Sequence, residues 1–317
     1  MKAIVYKKYG APLEVMQLEE VDQPTAGERE VLVRVHAAGV GAGDWHLLTG
    51  TIWAVRLYQG VFKPKRPVLG HEFAGTVESV GAGVTRFQPG DAVYGESTGG
   101  GAFAEYVCVA EKNIAPKPTS LSYEEAAAVP VSALTALQGL RDKGRIRAGH
   151  TVLINGASGG VGTYAVQIAK SYGAEVTGVC STTKVDLVRS LGADHVIDYH
   201  QDDFTQSDKR YDLILDLAGK HPLADCKRAL TAGGIYVVAA GAPMRTLRAV
   251  LFGGKKMAAY IAQPNEKDLA VLTELLESGK IKPVIDRRFP LSDVPQAIQH
   301  LGDGKVRGKV VITVQAS

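Results

Sequence analysis

Cysteine is scarce in this chain. Among 317 residues there are three, Cys108, Cys180 and Cys226. They are too few for a disulfide framework and lack the paired spacing of a structural zinc site. Their scatter fits a reducing, cytoplasmic setting. A charge excess is missing as well: 36 Lys plus Arg stand against 33 Asp plus Glu, a formal net charge of +3. No basic block marks a nucleic-acid surface, so no nucleic-acid partner is expected. No apolar run approaches the roughly 20 residues that span a membrane, so stable membrane insertion is not expected. Lys7 and Lys8 lead into Glu14, Glu19 and Glu20 instead of an apolar core, so the start does not read as a secretory leader.

What is abundant is glycine, with 36 residues, about one in nine against a usual 7% or so. The length suggests roughly two domains of about 150 residues. From Met1 to about Pro118 glycine and proline punctuate short strands at Lys2–Tyr6, Glu30–Ala37, Ala74–Val80, Ala92–Tyr94 and Ala104–Val109, a pattern that suits a small barrel. At Ser122 the spacing Ser-Tyr-Glu-Glu predicts a capped helix start. Strands and helices then alternate, with strands at Thr151–Asn155, Glu175–Cys180, His195–Asp198, Tyr211–Leu217 and Gly234–Ala240. Helices are predicted over Gly160–Tyr172, Lys184–Leu191 and Pro222–Leu230. That alternation predicts a parallel sheet covered on both faces. Lys256–Ile261 could be a sixth strand at its edge, and the basic stretch Met244–Met257 before it reads as a solvated loop, with contact to a membrane surface or a second subunit as the other reading. A last strand at Lys309–Val314 need not join the parallel sheet. The expected domains are 1–120 with 282–317, and 121–281.

The strongest chemical signal is the stretch from Thr151 to Lys170, an apolar strand running into Gly156, Ser158, Gly159, Gly160, Val161 and Gly162 at the start of a helix. Such a turn lets the main chain approach a pyrophosphate, and the helix start favours its charge. The bland alternative is an ordinary tight turn between a strand and a helix. Where NAD sites place an acid to hold the ribose 2′-hydroxyl, the second strand ends at Cys180, Ser181 and Thr182, followed by Lys184. Two hydroxyls and a cation suit a 2′-phosphate, so NADPH is expected over NADH.

The chain resembles the medium-chain dehydrogenase/reductase superfamily, and within it the zinc-independent quinone and enone reductases. The resemblance is carried by Gly70–Gly95 (GHEFAGTVESVGAGVTRFQPGDAVYG), by Ala133–Gly139, by the glycine turn and by Ser190–Tyr199. It implies an α/β protein with a GroES-like β-barrel catalytic domain and a doubly wound Rossmann domain, the active site lying in the cleft between them. It further implies that Lys184 and Tyr199 hold the 2′-phosphate, that Thr135 lies near the cofactor, and that Leu217, Ala218, Ala240 and Gly241 line the nicotinamide side. Lys309 matches a place where some relatives set a basic residue against the diphosphate. A homodimer is also implied.

Zinc-dependent relatives use a Cys, a His beside a Glu, and a further Cys or Asp. Here His71 and Glu72 remain, but the first position is Gly41 and the third falls near Val131, so no metal is expected. Without a Lewis acid, hydride transfer favours acceptors that delocalise charge, namely quinones and α,β-unsaturated carbonyls. Tyr58, His46 and His71 are the candidate proton donors, with water as the other source. Asp44 is expected to set loop geometry. Two rival readings stand beside this one: an NADP-linked alcohol dehydrogenase with an atypical zinc site at His71 and Glu72, and a non-catalytic NADPH-binding sensor or partner protein.

Overall fold

The computed structural model describes residues 1–51, 56–57, 59–239 and 256–314. Tyr58, Ala240, Gly241 and nearly all of the basic stretch Met244–Met257 lie outside the described residues. The chain divides into two compact units, residues 1–131 with 264–278 and 283–317, and residues 132–263 with 279–282.

The first unit contains β1 (Lys2–Tyr6), β2 (Met16–Glu20), β3 (Glu30–Val40), β4 (Glu72–Val80), β5 (Ala92–Glu96), β6 (Tyr106–Ala110) and β7 (Ile114–Pro116). β3 is the long central strand. It pairs antiparallel with β4 and with β6, and β4 passes on to β5 and β7. Alternating Val31, Val33 and Val35 turn into a core with Ile4, Phe73, Val93, Phe103 and Val107, the expected result of period-two patterning on a half-buried sheet. β1 pairs with β2, a partner the short MQLEE stretch did not announce.

The second unit holds β8 (Thr151–Asn155), β9 (Glu175–Cys180), β10 (His195–Asp198), β11 (Tyr211–Asp216), β12 (Leu230–Ala239) and β13 (Met257–Tyr260). Their order across the sheet is β10-β9-β8-β11-β12-β13, and every pairing is parallel. This is the doubly wound arrangement, with the strand order reversing between β8 and β11. The chain then returns to the first unit through β14 (Ile285–Pro290) and β15 (Lys309–Thr313), and β15 lies antiparallel beside β3.

The divisions differ from the expected 120 and 282 for identifiable reasons. The Ser122 capping box forms: Ser122 Oγ accepts from the Glu125 N–H at 3.2 Å, and Glu125 accepts from the Ser122 N–H at 2.9 Å. The helix it starts, Tyr123–Ala127, packs on β3 and β4, so it stays with the barrel. Pro130 opens a separate helix, Pro130–Gln138. The helix Glu266–Glu277 is likewise tied to the first unit: Tyr94 Oη hydrogen-bonds to Thr273 Oγ1 at 2.9 Å and to the Leu269 carbonyl at 3.1 Å. Lys282 belongs to the second unit because Gln167 exchanges two hydrogen bonds with its main chain.

Candidate active site and dinucleotide pocket

In open parallel sheets, ligands bind outside the carboxyl ends of the strands near the reversal of strand order. The second unit has a recess of about 230 Å³ at that place. Asn155 ends β8, Cys180 ends β9, Tyr199 follows β10 and Ala218 follows β11, and all four line it. Gly156, Ser158, Ser181 and Lys184 complete the set of expected residues that the fold brings together there. Lys220 and His221 also line it. The sequence reading missed both, because they follow the fourth strand and their place at the recess depends on the sheet order. Among the described lining residues there is no carboxylate.

The glycines of the turn have distinct reasons. Gly156 has φ +94°, a left-handed conformation that favours glycine. At Gly162 a Cβ would sit 2.1 Å from the Gly156 carbonyl oxygen. Gly159 caps the helix Gly160–Ser171 with ordinary extended dihedrals, and a Cβ there would meet only that same oxygen at 3.5 Å. Val161 sits in the first turn of that helix, which begins at Gly160. Leu217 lies against the turn, 3.4 Å from where a Gly156 Cβ would be.

Buried Asp216, another residue the sequence reading passed over, organises this end of the sheet. Its Oδ1 accepts from Asn155 Nδ2 at 2.9 Å and from the Ala218 and Gly219 N–H groups at 3.1 and 2.9 Å, and Tyr236 donates to Oδ2. Thr182 is turned aside: its hydroxyl donates to Asp198 at 2.6 Å. Thr135 lies on the helix Pro130–Gln138, with its carbonyl accepting from Tyr260.

The first unit carries a separate polar cluster. Asp44, in the first turn of the helix Ala42–Thr49, accepts from the N–H groups of Gly41 at 2.9 Å and Gly70 at 3.1 Å. His71 Nδ1 lies 2.9 Å from Asp44 Oδ1. Burial disfavours a charged His71, but the Asp44 hydrogen bond and the charges of Asp44, Glu96 and Glu72 outweigh it and hold His71 above the ordinary histidine range. His46 is different. It sits near the end of the same helix, and burial pushes it below that range, which disfavours it as an acid at neutral pH.

Beside His71, Lys309 and Glu72 form a buried ion pair, each side chain 2% exposed. Lys309 Nζ also donates to the Val40 carbonyl at 3.1 Å, and Glu72 Oε2 accepts from the Val131 N–H at 3.1 Å. Lys309 is therefore committed to a carboxylate within the first unit, not displayed to a diphosphate. β15 brings it next to the start of β4, where an unpaired buried charge would be costly.

A chain with these two units invites comparison. Residues 27–119 match the family model "Alcohol dehydrogenase GroES-like domain", and residues 191–312 match "Zinc-binding dehydrogenase". The 2-methylene-furan-3-one reductase of Solanum lycopersicum is 36% identical, the match covering 98% of this chain and 79% of that protein. The chain belongs to the medium-chain dehydrogenase/reductase superfamily, in its quinone and enone reductase branch. The chloroplast envelope quinone oxidoreductase homolog of Arabidopsis thaliana is 31% identical over 98% of both chains. The solved structure of the quinone oxidoreductase from Coxiella burnetii superposes with a TM-score of 0.90 at 31% identity, covering 99% of each chain. The protein is an oxidoreductase.

The family description raises the question of zinc, and the donor set answers it poorly. Gly41 offers no side chain at the position expected for the first ligand, and Val131 is an apolar residue near that expected for the third. Glu72 is engaged by Lys309 and the Val131 N–H. Among the described residues no group of three or more His, Cys, Asp or Glu is arranged to hold a metal. The residues present do not fit a catalytic zinc.

Proposed function

We propose that this protein reduces quinones or α,β-unsaturated carbonyls with NADPH and without a catalytic metal. The observation that carries the cofactor reading is the recess wall, where Ser181, Lys184 and Tyr199 meet with no lining carboxylate among the described residues. An NADH site would place an acid there to hold the ribose 2′-hydroxyl, whereas hydroxyls and a cation hold a 2′-phosphate. The Gly156–Gly159 turn and the start of the helix Gly160–Ser171 would take the diphosphate. The cofactor supplies the hydride.

The chain's own task is then to seat the acceptor, exclude water and deliver a proton. His71 is the donor we favour among the described candidates, since Asp44 both orients its ring and supports its protonated form. Acceptors that already delocalise negative charge need no Lewis acid. The printed names of the relatives, reductases of a methylene-furanone and of quinones, point to the same acceptors.

Two further readings accompany this one. Three free cysteines support a cytoplasmic setting, and among the described residues no helix is long and apolar enough to cross a membrane. Among the described residues β13 is an edge strand of the parallel sheet, and pairing it with a second copy would cover that edge in a homodimer.

The test is steady-state oxidation of NADPH and NADH with quinones, enones, simple aldehydes and alcohols, with and without chelator. We expect turnover with quinones or enones, kcat/KM roughly tenfold or more higher with NADPH, and no chelator effect. Equal use of NADH would overturn the cofactor reading, and chelator-sensitive alcohol oxidation would overturn the metal-free one.

A further inference from the structure

Among the described lining residues, Lys220 is the one lysine or arginine at the recess that neither the glycine turn nor the second strand supplies. Its position is set from both sides. Upstream, Asp216 accepts from the Ala218 and Gly219 N–H groups, and Gly219 takes φ +68°, turning the chain back towards the recess. Downstream, the His221 ring packs edge-on against Phe204 with centroids 4.8 Å apart, and its Nδ1 lies 3.6 Å from Asp203 Oδ1.

Between these clamps Lys220 places its ammonium 5.4 Å from the centroid of the Tyr199 ring. Tyr199 is pinned in turn by its N–H, which donates to the Cys180 carbonyl at 3.0 Å. Lys184 approaches the same recess from the end of β9, while Lys220 approaches from the end of β11. No carboxylate among the described residues pairs with Lys220.

We propose that Lys220 forms the second wall of the 2′-phosphate subsite and, with Lys184, decides the choice of NADPH over NADH. The inference rests on the NADPH reading above and extends it to a loop that this reading does not use. The physical argument is charge. A 2′-phosphate is close to doubly charged at neutral pH, and an ammonium on each side gives it two charge-assisted contacts. A 2′-hydroxyl gains little from either. Lys220 should therefore matter for one nucleotide and hardly at all for the other. A lysine that only held its own loop in shape would affect both alike.

The experiment is isothermal titration of the full chain, wild type and the variants Lys220→Ala and Lys220→Arg, with NADPH and with NADH. Lys220 is exposed, so unchanged thermal unfolding of the variants serves as the folding control. Lys220→Ala should raise the Kd for NADPH about tenfold or more while leaving the Kd for NADH within about twofold. Lys220→Arg should keep most of the NADPH preference. Equal losses for both nucleotides would overturn the proposal in favour of a structural role. A wild-type preference for NADPH that survives in Lys220→Ala would overturn the role of Lys220 and leave the NADPH reading standing. A wild type that binds both nucleotides equally would overturn the NADPH reading itself, and this proposal with it.

Discussion

Gly162 lies so close to Gly156 that a Cβ on it would come within 2.1 Å of the Gly156 carbonyl oxygen. That contact seats the helix Gly160–Ser171 against β8. Gly159, three residues earlier, has no comparable neighbour within the protein. Gly162→Ala should therefore cost stability, on the order of 1–3 kcal/mol, whereas Gly159→Ala should fold normally and weaken dinucleotide binding. Urea unfolding combined with NADPH titration separates the two. A Gly159→Ala protein that binds as tightly as wild type would remove the pyrophosphate from this turn.

His71 and Asp44 act as a pair in the proton delivery proposed above. His71→Ala should lower kcat by roughly 10²–10⁴ if the imidazole is the general acid. Asp44→Asn removes the charge that holds His71 above the ordinary histidine range, so the alkaline fall of its kcat profile should move to lower pH. A profile unmoved by Asp44→Asn, with His71→Ala within about twofold of wild type, would point to water as the donor.

The ion pair of Lys309 with Glu72 is buried, so breaking it leaves one charge stranded. Glu72→Gln or Lys309→Met alone should each cost about 3–5 kcal/mol, and the double variant should cost less than the two losses added. Denaturant unfolding of all four proteins reads this directly. Additive losses would show that the two side chains do not depend on each other.

Glu96 is the cross-strand neighbour of Glu72 in the β4–β5 pairing. Burial, and then the Glu72 charge, push its carboxyl up to about 7 against the opposing influence of His71. A folded pKa above the unfolded value of 4.5 means the fold holds the proton more tightly. The resulting stability is full below about pH 4.5 and is lost as pH rises towards 7. The urea midpoint of wild type should thus fall between about pH 4.5 and 7 more steeply than that of Glu96→Gln. His36 and His46, lowered by burial, act in the opposite sense, but they are common to both proteins and cancel in the difference. Parallel pH profiles would place Glu96 in water.

Much of the second unit was legible from local pattern. The strands at Thr151–Asn155, Glu175–Cys180 and His195–Asp198 stand at the expected residues, because continuous apolar runs between glycine turns leave a buried parallel strand little freedom. The glycine turn, Ser181 and Lys184 were legible for the same reason, since each follows such a strand, whereas Tyr199 was expected only from the family resemblance. Lys220 was not. Nothing in Leu217–His221 announces a cation facing Tyr199, and the loop reaches it only because the strand order reverses between β8 and β11. Thr182 was expected at the pocket and instead donates to Asp198, a partner sixteen residues on.

The sequence by itself determined the alternation of strands and helices and the glycine turn before the helix Gly160–Ser171, because each is written in neighbouring residues. Only the tertiary structure decided what Lys309 does. It lies 237 positions from Glu72, and the two meet because β15 returns to lie beside β3, which in turn pairs with β4. A buried ammonium must find its counter-charge wherever strand pairing places one, and pairing between distant segments depends on the assembled sheet and not on local pattern.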